Sequence, residues 1–225
     1  RAWIDVLFPA LVTSFSNTDD DNTELFAKGV KYLLLVMLPV VLAIAVLSFS
    51  IFAIWLPDGK VFAEKSSFIM ICLTVGIFIH SLARFIWYFV QAAGRPDLAA
   101  RLHLIELPFY MGGAFLLISK YGINGAALAW TLRTVVDFGF LFALSAPFLT
   151  NIRDLFFKIG TLILAAVALI LTSTYPAYLP ARIAIAMVGL PLFYAFSWFF
   201  MLSKPEQSDI MNVYDYLVQR FRRKA

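Results

Sequence analysis

The chain has 225 residues, 62% of them hydrophobic and 14% charged, with a formal net charge of +4 and a mean hydropathy of +0.85. Long uncharged runs in such a chain read as transmembrane helices, and they show no alternation, so a membrane barrel is a poor fit. The positive charge accompanies no nucleic-acid motif, so nucleic acid is not an expected partner.

The chain opens on an apolar stretch, Trp3–Phe15, too short to span and interrupted by Asp5 and Pro9. It reads as the end of a helix whose beginning is missing. Asn17–Glu24 is acidic and polar and reads as a solvated connection, so residues 1–26 form one unit. Six spans follow, at 31–55, 66–93, 102–119, 123–147, 157–175 and 180–202. Each has about the 17–25 residues that cross the hydrocarbon layer, or slightly more with tilt. Lipid leaves helices as the one backbone solution for such runs. The expected fold is therefore an all-α membrane bundle of about six transmembrane helices. Residues 27–149 supply a four-helix part, 150–203 two additional helices, and 204–225 a basic cytoplasmic tail. Pro39, Pro108, Pro147 and Pro191 fall within or beside spans and predict kinks whose freed carbonyls need neighbours.

Loop charge sets the orientation. With six crossings, Lys28, Lys31, Arg95, Arg101, Arg153, Lys158, Lys204, Arg220, Arg222, Arg223 and Lys224 lie on one side, against Lys60, Lys65, Lys120 and Arg182 on the other. The positive-inside rule places both termini in the cytoplasm of a multi-pass protein of the cytoplasmic membrane. Cys72 is the one cysteine and lies within a span, so it reads as packing. No secretory signal pattern opens the chain. The tryptophans and the 23 phenylalanines read as lipid contact and packing, with Trp55 and Trp198 at interfacial depth.

The ionisable residues inside the spans carry the functional signal, because a charge at mid-membrane costs about 2.5 to 3.5 kcal/mol on insertion scales. Such groups face a bundle interior or a watery cavity. In the second span Gly76, His80, Arg84, Tyr88 and Gln91 follow at spacings of four, four, four and three and share one helix face. Arg84 lies roughly 13 Å from the cytoplasmic end at 1.5 Å per residue, too deep for an arginine that snorkels to the interface. The third span carries His103, near the cytoplasmic end and readable as interfacial, and Glu106, placed to balance Arg84 or Arg101. In the fourth span Arg133 and Asp137, at i and i+4, can pair. The cavity candidates are thus Arg84, Arg133, Asp137, Tyr88 and Gln91, with His80 and Glu106 as candidates for a coupling proton. No Ser-His-Asp order, phosphate loop or metalloprotease motif occurs, so neither an enzyme nor a cofactor nor a metal site is expected.

The segment Lys120–Trp130 combines a helix-ending Gly122 with the small residues Gly125, Ala126, Ala127 and Ala129, which let the next helix pack closely. Here "YGINGAALAWTLRTVVD" resembles the Gly-Ile-x-Gly-Ala-Ala-x-Ala segment, with following Arg and Asp, of the polysaccharide flippases. That family belongs to the superfamily of multidrug and toxin extruders, oligosaccharidyl-lipid flippases and peptidoglycan-precursor flippases. "VLFPALVTSFSN" and "ARFIWYFVQAAGRPDLAARLHLIELP" are similar to two further segments of the family. The resemblance covers residues 1–150 and implies the second of two six-helix bundles around an alternating central cavity. It implies movement of undecaprenyl-diphosphate-linked oligosaccharide between leaflets, driven by an ion gradient. The implied partners are that lipid-linked oligosaccharide, the N-terminal half of the same transporter and membrane lipids. A multidrug or cation exporter of the same superfamily and a non-transporting membrane scaffold remain the alternatives.

Overall fold

The computed structural model describes residues 12, 13, 15, 22–55, 59–150, 152–175 and 178–200. The helix end expected before residue 16 and the basic tail lie largely or wholly outside the described residues. Six long helices follow one another: α1 (Asn22–Trp55), α2 (Gly59–Ala92), α3 (Pro96–Tyr121), α4 (Ile123–Ser145), α5 (Ile152–Thr174) and α6 (Leu179–Phe200). A 3-10 turn, Ala146–Phe148, follows α4, and no strand occurs among the described residues. All six helices are long and apolar enough to cross a membrane. The protein is an all-α membrane bundle, as its apolar runs predict.

The first helix is longer than its span. It begins at Asn22, within the stretch expected to be a solvated connection. Glu24 sits in its first turn and pairs with Lys28 one turn on, 2.6 Å apart. An acidic group near the helix N-terminus and an i,i+4 pair both favour helix there.

The α1–α2 pair is the spine. Phe26, Val30, Leu34, Leu38, Leu42 and Ala45 make one fully buried stripe along α1, at spacings of four and three. The stripe meets Phe78, Leu82, Phe85, Ile86 and Phe89 of α2 in one core. Phe26 stacks edge-on with Phe89 and Phe142, with centroids 4.7 and 6.0 Å apart, which ties α1 to both α2 and α4. Apolar side chains gain little from leaving lipid, so tight packing and interhelical polar contacts hold such helices together.

On the other side, α2 packs extensively on α4 and α4 on α3, whereas α3 meets α2 only slightly. Helices α5 and α6 pack on each other and on α1. The α2–α3 turn is a closed Schellman motif: the Gly94 N–H donates to the Gln91 carbonyl and the Arg95 N–H to that of Val90. Pro96 then starts α3 at a position that lacks an intrahelical partner anyway. At the far end Gly122 adopts φ +57°, a region that favours glycine. The chain reverses there so tightly that a Cβ on Gly125 would lie 2.0 Å from the Leu117 carbonyl oxygen.

Candidate functional site

The site lies where α2, α3 and α4 meet. The Thr131 hydroxyl of α4 is 2.9 Å from both the Ala127 carbonyl of its own helix and the Cys72 carbonyl of α2. One turn further along α2, Gly76 has no side chain, and Trp130 occupies the space. A Cβ on Gly76 would lie 2.4 Å from the Trp130 ring. The two helices therefore approach closely at this level. Their next turns carry the ionisable residues.

A cavity of about 240 Å³ opens there. Helix α2 contributes His80, Arg84 and Trp87 to its lining, α3 contributes His103, and α4 contributes Trp130, Arg133, Thr134 and Asp137. The expected cavity residues Arg84, Arg133 and Asp137 are thus brought together, with His80 beside them. The His80 and Trp130 ring centroids are 6.2 Å apart. Arg84 is exposed toward the cavity rather than buried, and its Nη2 donates to the Tyr88 hydroxyl at 3.2 Å. Tyr88 positions Arg84 without lining the cavity. Gln91, half-buried, is not among the lining residues and continues the same helix face beyond them.

Glu106 is one of two buried residues on α3. Its partner is neither Arg84 nor Arg101. The Arg133 Nε of α4 lies 3.3 Å from Glu106 Oε1. Nor does Arg133 turn to Asp137 along its own helix. Its guanidinium lies over the Tyr110 ring, 5.0 Å from the centroid, and Tyr110 is one turn from Glu106 on α3. A carboxylate and a π face on the same side of α3 outweigh a single carboxylate on α4. Asp137, also buried, instead faces His103. The His103 Nδ1 is 3.5 Å from both Asp137 Oδ1 and Glu106 Oε2.

These four side chains form a closed electrostatic group of two buried carboxylates, one guanidinium and one imidazole. None of the atoms concerned makes a hydrogen bond of normal geometry; Arg133 and Glu106 pair as opposite charges, and the His103 Nδ1 lies between the two carboxylates. Arg133 also lines a second cavity of about 180 Å³ with Tyr110, Gly113 and Ala129, and so stands between two spaces. The ligand atoms of His103, Glu106 and Asp137 lie within 4.8 Å of one another, close enough to share a metal ion. Arg133 already supplies a cation to this group, and a metal would have to displace it.

Sequence reasoning underrated His103, which reads as interfacial, and passed over Trp87, Trp130 and Thr134. Two signals were available. His103 and Glu106 lie at i and i+3. Positions 80, 84 and 87 and positions 130, 133, 134 and 137 fall on single helix faces.

Over 110 residues, 49% of this chain and 26% of the relative, the sequence is 30% identical to a protein of Shigella flexneri named "Putative O-antigen transporter". The match spans about a quarter of that relative's length. No family model matches the chain, and no solved structure matches it.

Proposed function

We propose that the chain is part of a membrane transporter that flips undecaprenyl-diphosphate-linked oligosaccharide across the cytoplasmic membrane, by alternating access, for polysaccharide biosynthesis. The observation that carries this reading is the cavity that Arg84 and Arg133 both line. The similarity to the Shigella flexneri protein, whose name includes O-antigen transport, supports the class of cargo. A diphosphate head group needs fixed, desolvated cations, and guanidinium groups bind such anions through forked, charge-assisted hydrogen bonds. Glu106, with His103 and Asp137 behind it, holds Arg133 while the cavity is empty, and Tyr88 steadies Arg84. His80 and Glu106 are the candidates for carrying a coupling proton. The N-terminal half of such a transporter would close the cavity from the opposite side. An exporter of organic cations fits less well, because both buried carboxylates already face Arg133 or His103.

The test uses the complete open reading frame in a strain lacking its own flippase. Surface polysaccharide is measured for Arg84→Ala and Arg133→Ala at matched expression. Loss in both supports the head-group role, and wild-type polysaccharide in both removes it.

A further inference from the structure

We infer that the indoles of Trp87 and Trp130 bind a sugar ring of the lipid-linked substrate, next to the arginines that take its diphosphate. This rests on the function proposed above and assigns the part of the substrate that the arginines do not explain.

Four observations support it. Trp87 and Trp130 both line the cavity and are only half-buried. Trp130 is held in place rather than loosely packed. Its ring fills the notch that Gly76 leaves, and the neighbouring Thr131 pins that turn of α4 to the Cys72 carbonyl of α2. An aromatic side chain fixed before binding loses little freedom when a ligand arrives.

The remaining lining suits a ring studded with hydroxyls. Six of the ten lining residues are polar or ionisable. Arg84 and Arg133 are donors, Asp137 is an acceptor, and the Thr134 hydroxyl, which donates to the Thr131 carbonyl at 2.7 Å, keeps its lone pairs free to accept. A pyranose presents C–H bonds on its faces and hydroxyls around its rim. Indole faces with donors and acceptors at the edge match both.

The cavity of about 240 Å³ falls below the roughly 300–1,000 Å³ of pockets that enclose larger ligands, so a sugar and its diphosphate together need the further space that the proposed N-terminal half would enclose. An acyl or prenyl tail would meet the charged groups and pay their desolvation. An organic cation would suit the indoles but not the two arginines beside them.

The experiment uses the full-length protein in nanodiscs and two probes: a short-chain polyprenyl diphosphate and the same lipid carrying one hexose. Wild type should bind the hexose-bearing probe about tenfold more tightly, the increment of one well-placed aromatic contact. Trp130→Leu and Trp87→Leu should erase most of that increment and weaken the sugar-free probe far less than the hexose-bearing one. Trp130→Phe, which keeps an aromatic face, should retain part of it. The inference is overturned if the increment survives in both leucine variants. It is equally overturned if every variant weakens both probes alike, since the indoles would then serve only packing. Equal wild-type affinity for the two probes overturns it while leaving the head-group role standing. If wild type binds neither probe, the proposed function falls as well.

Discussion

The hydroxyl of Tyr194 on α6 donates to the carbonyl of Leu35 on α1 at 2.7 Å. Leu35 lies four residues before Pro39, which sits inside α1 and has no N–H to return the helical bond. Helix α6 thus supplies the donor that the proline removes. In lipid no water can take that place. Helix α6 is therefore bonded to the bundle at the one interior proline of α1.

Tyr194→Phe should lower stability by about 1 kcal/mol, the range of interhelical hydrogen bonds in membranes. In a Pro39→Ala background the same change should cost little, because residue 39 then donates to Leu35 itself. Thermal unfolding of the four proteins in nanodiscs forms the double-mutant cycle. Equal costs in both backgrounds would separate the tyrosine from the proline.

Much of the fold was legible because apolar runs report membrane crossing directly. The α3–α4 turn was legible too, through Gly122. The start of α1 was not: hydropathy marks the part of a helix in lipid, whereas Asn22–Lys28 continues the helix beyond it with a polar pair. Within the site, each ionisable residue could be placed on a face, but the pairing could not be read. The i,i+4 rule points Arg133 to Asp137, and only the packing of α3 on α4 brings Glu106 and Tyr110 to it. Trp130 could be placed on the face of Arg133 and Asp137, but not its contact: the counterpart is the missing side chain of Gly76 on another helix.

Gly76→Ala should destabilise the protein by about 1–3 kcal/mol, because the added methyl drives into the Trp130 ring and neither helix can yield freely. Gly139→Ala on α4 is the contrast. A Cβ there meets nothing within 4 Å, so helix propensity should leave that variant unchanged or more stable by up to about 1 kcal/mol. Unfolding temperatures at matched detergent and lipid would compare the two.

Both termini should face the cytoplasm. In a Cys72→Ala background, Lys120→Cys at the outer end of α3 should react with an impermeant thiol reagent in intact cells. Asp97→Cys, at the other end of the same helix, should react only after permeabilisation. The reverse pattern would invert the orientation that loop arginines and lysines specify.

The four-residue ionic group should respond unequally to removal of its members. Arg133→Ala leaves Glu106 and Asp137 buried with only His103 between them, and an uncompensated buried charge is costly. Arg133 is about a third exposed, which places the loss near the lower end of the usual range, about 3 kcal/mol. Glu106→Gln should cost less. Its removal frees a guanidinium that can reach into the adjoining cavity or turn to Asp137, one helical turn away. The double variant Arg133→Ala, Glu106→Gln should then be more stable than the sum of the single losses allows, by about 1–3 kcal/mol, since each change removes what the other leaves unpaired. Losses that simply add would mean that the two side chains act independently, despite lying 3.3 Å apart. Denaturation in nanodiscs at neutral pH would measure all three variants against wild type.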